Sequence, residues 1–580
     1  MTPILFACLA GLGCGLLLLK SGRRIAGGLL CGVGVGAASI ALSGPAAVAL
    51  CRIAPDFAEL LRFHNRAALA SWCAASAMLG TAAGLGAVGA PGHASPEERE
   101  VPEAGSAVDA GLRAALKGRK GGAATFLGVT RTGRAVSLRP SDREGHMQIV
   151  GPTRTGKSQL LLALAAQDMA DGYSVFLMEA KGDRGDFDQF LQAAERAGRL
   201  DDVRYFNPQD PSSMTFNPIR PVWGQDPTAL ANQVARAIGR EPTSSGEGQD
   251  YYRGVDYAKV QSMAEVFCAT GRAFTLRDCY DYFSSNEARE KAFALCGDPA
   301  LADLARAEFK ANPDTSSLTS ALRPWTTGPL GALLNSYSPQ IRLDDAFSRG
   351  QTVYFAVPVG HLQVLANPLG RMVISGLLSV AAARQRAAVK PEPATVILDE
   401  FAEFATPAFA SYVATVGSAR LRTILSHQDL GQLKRIQGMN TEAFDSVVFN
   451  NTSGCKVCFR APDPEDAEFW AATLGTEPGV VDTERVTKGL LGDSRTGDRS
   501  RREVERFRVH PNKIKGLPPG VALVSIPGRE TCLVRTARVH PLISRSAPPD
   551  IPAVGEEPLD LRTSIKHFTK QYDHAGEVRR

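Results

Sequence analysis

An α/β fold built on a parallel sheet, interrupted by an all-α segment and preceded by transmembrane helices, is what this sequence predicts. Three observations carry that expectation. A glycine-rich turn, GPTRTGKS at 151–158, sits between an apolar strand and a helical run; a second apolar run at 394–398 ends in two acids; and the amino end is almost without charge. The length of 580 residues excludes a single small core, since domains hold roughly 150 residues and about three or four units fit. With 44% apolar and 22% charged residues the bulk is globular, not disordered or collagen-like. A net charge of +5 is too small for this size to name a polyanionic partner. The 11 cysteines, five of them near the amino end, have no framework spacing and read as reduced thiols.

Residues 1–95 read as a transmembrane region of two or three helices. Three apolar runs, Pro3 to Leu19, Ile25 to Leu50 and Ala67 to Ala90, fit a bilayer, for which about 20 residues suffice. No Lys or Arg precedes Lys20, so the positive region of a signal peptide is missing and an intact anchor is expected. With three spans, Lys20, Arg23 and Arg24 lie inside, as the positive-inside rule prefers, while Arg52, Arg62 and Arg66 lie outside against it. Gly11/Gly15, Gly28/Gly32/Gly36 and Gly80/Gly84 recur every fourth residue, which suits close helix contact, although Gly- and Ala-rich spans also produce such spacings by chance. A linker at 96–110 follows, where the composition turns to that of a soluble domain. Residues 123–138 then alternate short apolar pieces around Thr-Gly turns, as a β-hairpin does.

The glycine-rich turn has the strand-turn-helix context of a P-loop: His146 to Val150 before it and Gln159 to Met169, with Leu160, Leu161, Leu164 and Ala165, after it. The backbone of Gly151, Pro152, Thr153, Arg154, Thr155 and Gly156 is expected to wrap phosphates, Lys157 to neutralise the β and γ oxygens of ATP, and Ser158 to offer its hydroxyl to Mg2+. Ala394 to Leu398 reads as a buried parallel strand, which places Asp399 and Glu400 at its carboxyl end, where open α/β sheets bind ligands. Asp399 is the second metal group and Glu400 the group that orients or deprotonates water; the bland alternative is a solvated pair capping the next helix. A third strand, Arg422 to Ser426, leads to Gln428, whose amide is expected beside the γ-phosphate, and to His427, read as a packed or capping side chain.

In this order the pieces resemble the type IV secretion coupling proteins, the TraG/TraD-type conjugation ATPases, themselves similar to FtsK-like DNA translocases. The matching stretches are the P-loop; FLMEAKGDRGDF at 176–187; YFNPQDPSSMTFNPI at 205–219; ILDEFAEF at 397–404; SHQDLGQLKRI at 426–436; and FNNTSGCKVCFRAPDPEDAEFWAATLG at 449–475. One departure is Glu179, where the family has Asp before the Lys-Gly. The resemblance implies a RecA-like nucleotide-binding domain at 111–225 and 340–545, an all-α domain at 226–339 and a hexameric ring with ATP between subunits. It also implies an arginine supplied in trans, for which Arg420 is the candidate and Arg422 the rival. The partners implied are relaxase-bound single-stranded DNA, relaxosome accessory proteins, inner-membrane type IV secretion components and the lipid bilayer. The place implied is the bacterial inner membrane, multi-pass, with the ATPase in the cytoplasm. Two competing readings stay open: an FtsK-like double-stranded DNA pump, and a docking receptor that uses nucleotide only for assembly.

In the insertion, Asp226-Pro227 starts a helix to Gly239, and further helices fall near 253–270, 276–293 and 299–310. Arg323 and Trp325 suit DNA contact, but core packing of Trp325 is the better expectation. Residues 484–508 read as a charged surface excursion or a loop toward DNA; Cys455 and Cys458 form a lone CxxC without a second pair; and 546–580 reads as a weakly ordered tail.

Overall fold

The computed structural model describes residues 105–220, 226–240, 249–386, 391–405, 419–436, 454–489 and 492–539, with Leu559 and Leu561. The three apolar amino-terminal runs, the linker up to residue 104 and the FNN stretch at 449–451 lie outside the described residues.

The chain opens with α1 (Gly105–Leu116) and the hairpin β1 (Thr125–Thr130) and β2 (Ala135–Leu138), followed by β3 (Met147–Val150), α2 (Lys157–Ala170), β4 (Ser174–Glu179), α3 (Arg184–Arg196) and β5 (Val203–Phe206). The helical insertion comprises α4 (Pro227–Ala237), α5 (Gln249–Ala269), α6 (Leu276–Ser284), α7 (Asn286–Leu295), α8 (Pro299–Ala311), α9 (Ser316–Leu322) and α10 (Gly328–Leu334). After α11 (Leu343–Ser348) the sheet resumes with β6 (Thr352–Ala356), α12 (Val359–Leu362), α13 (Ala366–Arg386), β7 (Ala394–Leu398), β8 (Leu421–His427), α14 (Leu430–Lys434) and β9 (Lys456–Cys458). The described chain closes with α15 (Pro464–Thr473), β10 (Thr476–Gly489), β11 (Gly492–Phe507), α16 (Pro511–Lys515), β12 (Val521–Ser525) and β13 (Cys532–Thr536).

Eleven strands form one sheet in the order β2-β1-β13-β12-β9-β3-β8-β7-β4-β6-β5. From β9 to β5 every neighbouring pair is parallel; from β9 back to β2 every pair is antiparallel. The parallel strands β3, β4, β6 and β7 are buried throughout, because helices cover both faces. Alternation assigns their side chains to two cores. Phe176, Met178, Val396 and Leu398 face one, shared with α13 and the insertion; Val175, Leu177 and Ile397 face the other, with α2 and α3. One helical stretch among the described residues, Val359–Arg386, is long and apolar enough to span a bilayer. Its Leu369, Met372, Val373 and Leu377 are buried in the first core, so apolarity here serves packing against the sheet.

Four local expectations are redrawn. A helix already starts at Gly105 inside the 96–110 linker, and its Val108 and Leu112 are buried. The single helix read at 276–293 is two, because Ser285 turns extended and its hydroxyl accepts from Ala288 N to start α7. Residues 484–508 are regular where described: β10 and β11 pair as a two-stranded ribbon, with Asp482 opposite Arg501 and Glu484 opposite Arg499 in the register, and residues 501–503 and 505–508 are exposed, as a surface excursion requires. In the tail, Leu559 and Leu561 are buried in the core of the insertion. Other expectations stand as read: Asp226 caps α4 with Pro227 in its first turn, Trp325 is 2% exposed, and Cys455 and Cys458 are packed in and beside β9.

Candidate functional site

Glycine is required twice in the turn after β3. Gly151 has φ 153°, and a Cβ there would lie 2.6 Å from that of Phe459; Gly156 has φ 109° and passes close to Gly520. Arg154 also takes a positive φ of 63°, a left-handed conformation that side chains other than glycine rarely adopt. The loop is pinned from within by Thr155 Oγ1 donating to Pro152 O at 2.7 Å, and from outside by Gly520 N donating to Thr155 O at 2.8 Å. Pro152 is half-buried, and Thr153 and Arg154 are exposed, so the crest of the loop is accessible. Lys157, the first residue of α2, is buried and its ammonium donates to Gly151 O.

Opposite this turn, β7 delivers its acids. Asp399 accepts from Ser158 Oγ at 3.2 Å through one oxygen and from Ser426 Oγ at 2.8 Å through the other. Glu400 sits at φ 56°, and Gln428 Nε2 donates to its Oε1 at 3.0 Å. His427 packs beneath, its Nε2 2.9 Å from Gln148 Nε2 and its Nδ1 3.0 Å from Asp429 O. On the neighbouring strand, Glu179 accepts from Lys181 N at 2.6 Å and Gly182 N at 2.8 Å.

Burial sets the charges here. It pushes the Lys157 ammonium below its ordinary value, against the pull of Glu400 and Asp399. Burial also lifts the Glu179 carboxyl to about 7, although two backbone N–H groups hold it down, and it drives His427 to about 4. For Lys181 burial works downward, yet Asp399, Asp186 and Glu400 outweigh it and the value rises.

Lys157, Ser158, Asp399, Glu400 and Gln428 are thus brought together at the carboxyl ends of β3, β7 and β8. Arg420 is not: it precedes β8, at the other end of a seven-residue strand, with φ 55° and its guanidinium donating to Pro391 O at 3.1 Å. Seven residues of strand span roughly 20 Å, so Arg420 lies far from Lys157, Asp399 and Glu400 of its own chain. Arg422 is mostly buried, 3.9 Å from Asp168 and stacked on Tyr173. Sequence reasoning missed Ser426, which strand alternation from Gln428 places on the same face, and Lys181, whose charge faces the acid pair only after folding. The hydroxyl of Ser158 and the carboxylate of Asp399 are hard oxygen donors of the kind that suit Mg2+, which keeps several waters and takes few protein ligands. Among the described residues no cluster of three or more His, Cys, Asp or Glu forms a denser metal site.

Fold and site define the class: a RecA-like α/β fold with a P-loop facing an acidic strand end. Residues 393–519 match the family described as the TraM recognition site of TraD and TraG. Among solved structures, the unbound bacterial conjugative coupling protein TrwBdeltaN70 matches with a TM-score of 0.51 at 17% identity, over 76% of this chain and 93% of that one. The same protein with sulphate matches at 0.50 and 17%, over 71% and 90%. TrwB with a non-hydrolysable GTP analogue matches at 0.50 and 17%, over 74% and 99%. No curated protein matches the chain. In profile and in fold, then, the chain resembles the TraG/TraD-type coupling proteins of type IV secretion, as the order of its motifs indicated.

Proposed function

We propose that this protein is a membrane-anchored ATPase that recruits relaxase-bound single-stranded DNA to a type IV secretion channel and drives it through during conjugation. The observation that carries the reading is the convergence of Lys157 and Ser158 with Asp399, Glu400 and Gln428 across the tips of adjacent strands. The Gly151–Gly156 backbone and Lys157 bind the triphosphate, and the contact of Lys157 with Gly151 O is exchanged for phosphate oxygens. Ser158 and Asp399 would hold Mg2+, which neutralises charge on the β and γ phosphates when bound. Glu400, held by Gln428, orients the attacking water and takes its proton, while the Gln428 amide senses whether a γ-phosphate is present. Arg420 of a neighbouring protomer in a hexameric ring completes the site, and subunits couple through it. Residues 393–519 receive a relaxosome component of the TraM kind, as the description of the matching family suggests. Two or three amino-terminal spans hold the ring in the inner membrane with the ATPase in the cytoplasm.

The test is nucleotide turnover by the full chain in detergent, with and without DNA, beside Lys157→Ala and Glu400→Gln. Turnover stimulated by single strands and abolished by both substitutions supports the proposal. Stimulation by duplex alone indicates a double-stranded DNA pump, and binding without turnover under every condition indicates a docking receptor.

A further inference from the structure

Gln428 owes its place to the short segment that carries it. The chain leaves β8 at His427 and enters α14 at Leu430, and this connection is tied at both ends to other elements. On the inner side Gly151 N, at the start of the phosphate turn, donates to His427 O at 3.2 Å; on the outer side Leu430 N donates to Asp466 Oδ2, in the first turn of α15, at 3.1 Å. Between the two ties the segment folds on itself: Gln428 N donates to Gln432 Oε1 at 3.1 Å, and Gln432 N to Asp429 Oδ1 at 2.7 Å. From this frame Gln428 Nε2 reaches Glu400 Oε1 at 3.0 Å.

With five residues α14 is too short to hold its own direction, since isolated helices need about 12 or more. Leu430 is buried in a core shared with Val150, Trp470 and Ala471, but apolar burial is non-directional and does not fix the rotation of the segment about that core. The bond to Asp466 supplies the direction. An acid in the first turn of a helix ordinarily serves the helix dipole, and exposed Glu465 does that for α15; Asp466 is 8% exposed, and a carboxylate taken out of water and aimed at the backbone of another helix has a further reason to be there. We propose, on the reading of Gln428 as the group that senses the γ-phosphate, that Asp466 is a positioning residue for nucleotide turnover: through Leu430 N it fixes the His427–Leu430 segment and so aims the Gln428 amide at Glu400 and the γ-phosphate. Loss of the tie leaves the phosphate turn, Lys157 and Ser158 in place and lets Gln428 drift.

Asp466→Ala, Asp466→Asn and Glu465→Ala are compared with wild type as full chains in detergent, with circular dichroism and thermal melting as checks of folding. Asp466→Ala should lower kcat by about tenfold or more, the scale of a small misplacement, with ADP affinity unchanged. Asp466→Asn, whose amide oxygen still accepts from Leu430 N, should restore turnover, and Glu465→Ala should match wild type. In a Gln428→Ala background Asp466→Ala should lower kcat no further, because the tie acts only through that side chain. A second readout needs no turnover: the preference for a non-hydrolysable ATP analogue over ADP should fall in Asp466→Ala, and again not in the Gln428→Ala background. A wild type that binds nucleotide without turning it over removes the motor reading and leaves Asp466 to be judged by this preference. A folded Asp466→Ala with unchanged preference, an equal effect with and without Gln428, or an Asp466→Asn as impaired as Asp466→Ala overturns the proposal. Should Asp466→Ala not fold, Asp466→Ser, whose side chain is too short to reach Leu430 N, is judged by the same criteria.

Discussion

The two ends of β8 and its neighbours carry charge in opposite ways. At the amino end, Arg143 grips Asp168 with both nitrogens, at 2.6 and 2.8 Å, Thr395 Oγ1 donates to the same carboxylate at 2.8 Å, and Arg422 lies 3.9 Å away over Tyr173. Around Asp168 the charges close on one another inside the core, with Arg143 and Asp168 0–1% exposed. At the carboxyl end, Asp399 and Glu400 are met by hydroxyls and an amide, and Lys157 by a backbone carbonyl. Neutral partners hold these groups in place and can be exchanged for a ligand with little loss. A closed ion cluster supports a fold, whereas charges held by neutral partners are poised to act.

The sharpest way to break this comparison is at the carboxyl end. Glu400→Gln should lower nucleotide turnover by about 10² to 10⁴, the usual worth of a positioned general base, with an unchanged melting temperature; a large drop in Tm would place Glu400 among the structural charges. At the amino end the reverse is expected. Asp168→Ala leaves Arg143 and Arg422 buried without their carboxylate and should cost about 3–5 kcal/mol of stability, read by denaturant unfolding, while the molecules still folded bind nucleotide as before.

His427 offers a third test, since it is buried neutral beneath the site. Its value falls from 6.5 in the unfolded chain to about 4, so the unfolded state binds more protons between those values. Its contribution is full above about pH 6.5 and is lost as pH drops toward 4, about 3 kcal/mol in all. Glu179, lifted to about 7, acts in the opposite sense, favouring the fold as pH falls from about 7 toward its ordinary 4.5. His427→Gln should therefore flatten the acid arm of the stability curve, and an unchanged arm would remove His427 as its cause. The smallest effect belongs to a helix cap outside both clusters: Asp463 caps α15 by accepting from Glu465 N and Asp466 N, and Asp463→Ala should cost about 1 kcal/mol with turnover untouched.

Legibility in the sequence followed the same division. The poised end was visible because its residues sit at strand tips beside local signals: glycines before Lys157, an apolar run before Asp399, another before Gln428. The closed end was not. Arg143, Asp168, Thr395 and Arg422 come from four separate segments with nothing in their spacing to join them: Thr395 and Arg422 read as strand residues, and no signal pairs either with Arg143 or Asp168. The antiparallel wing was half legible. The hairpin at 123–138 showed in its alternation, but that β13 and β12 return to pair beside it depends on contacts some 400 residues apart in sequence. Charge density in 484–508 concealed β10 and β11, because a stretch so rich in charged residues carries no apolar alternation to detect. The burial of Leu559 and Leu561 was hidden for a related reason: two leucines in a polar stretch are too few for any periodicity.

Phe216 pairs with Ile341 as an isolated parallel bridge, and Arg220 joins Asp344 through both carboxylate oxygens at 2.9 Å. The entry to and exit from the helical insertion are therefore neighbours, although more than a hundred residues separate them along the chain. A unit hung on adjacent stems behaves like a cassette. Its helices can change in length or number while the stems, and with them the strand ends that carry Lys157, Asp399 and Glu400, stay where they are.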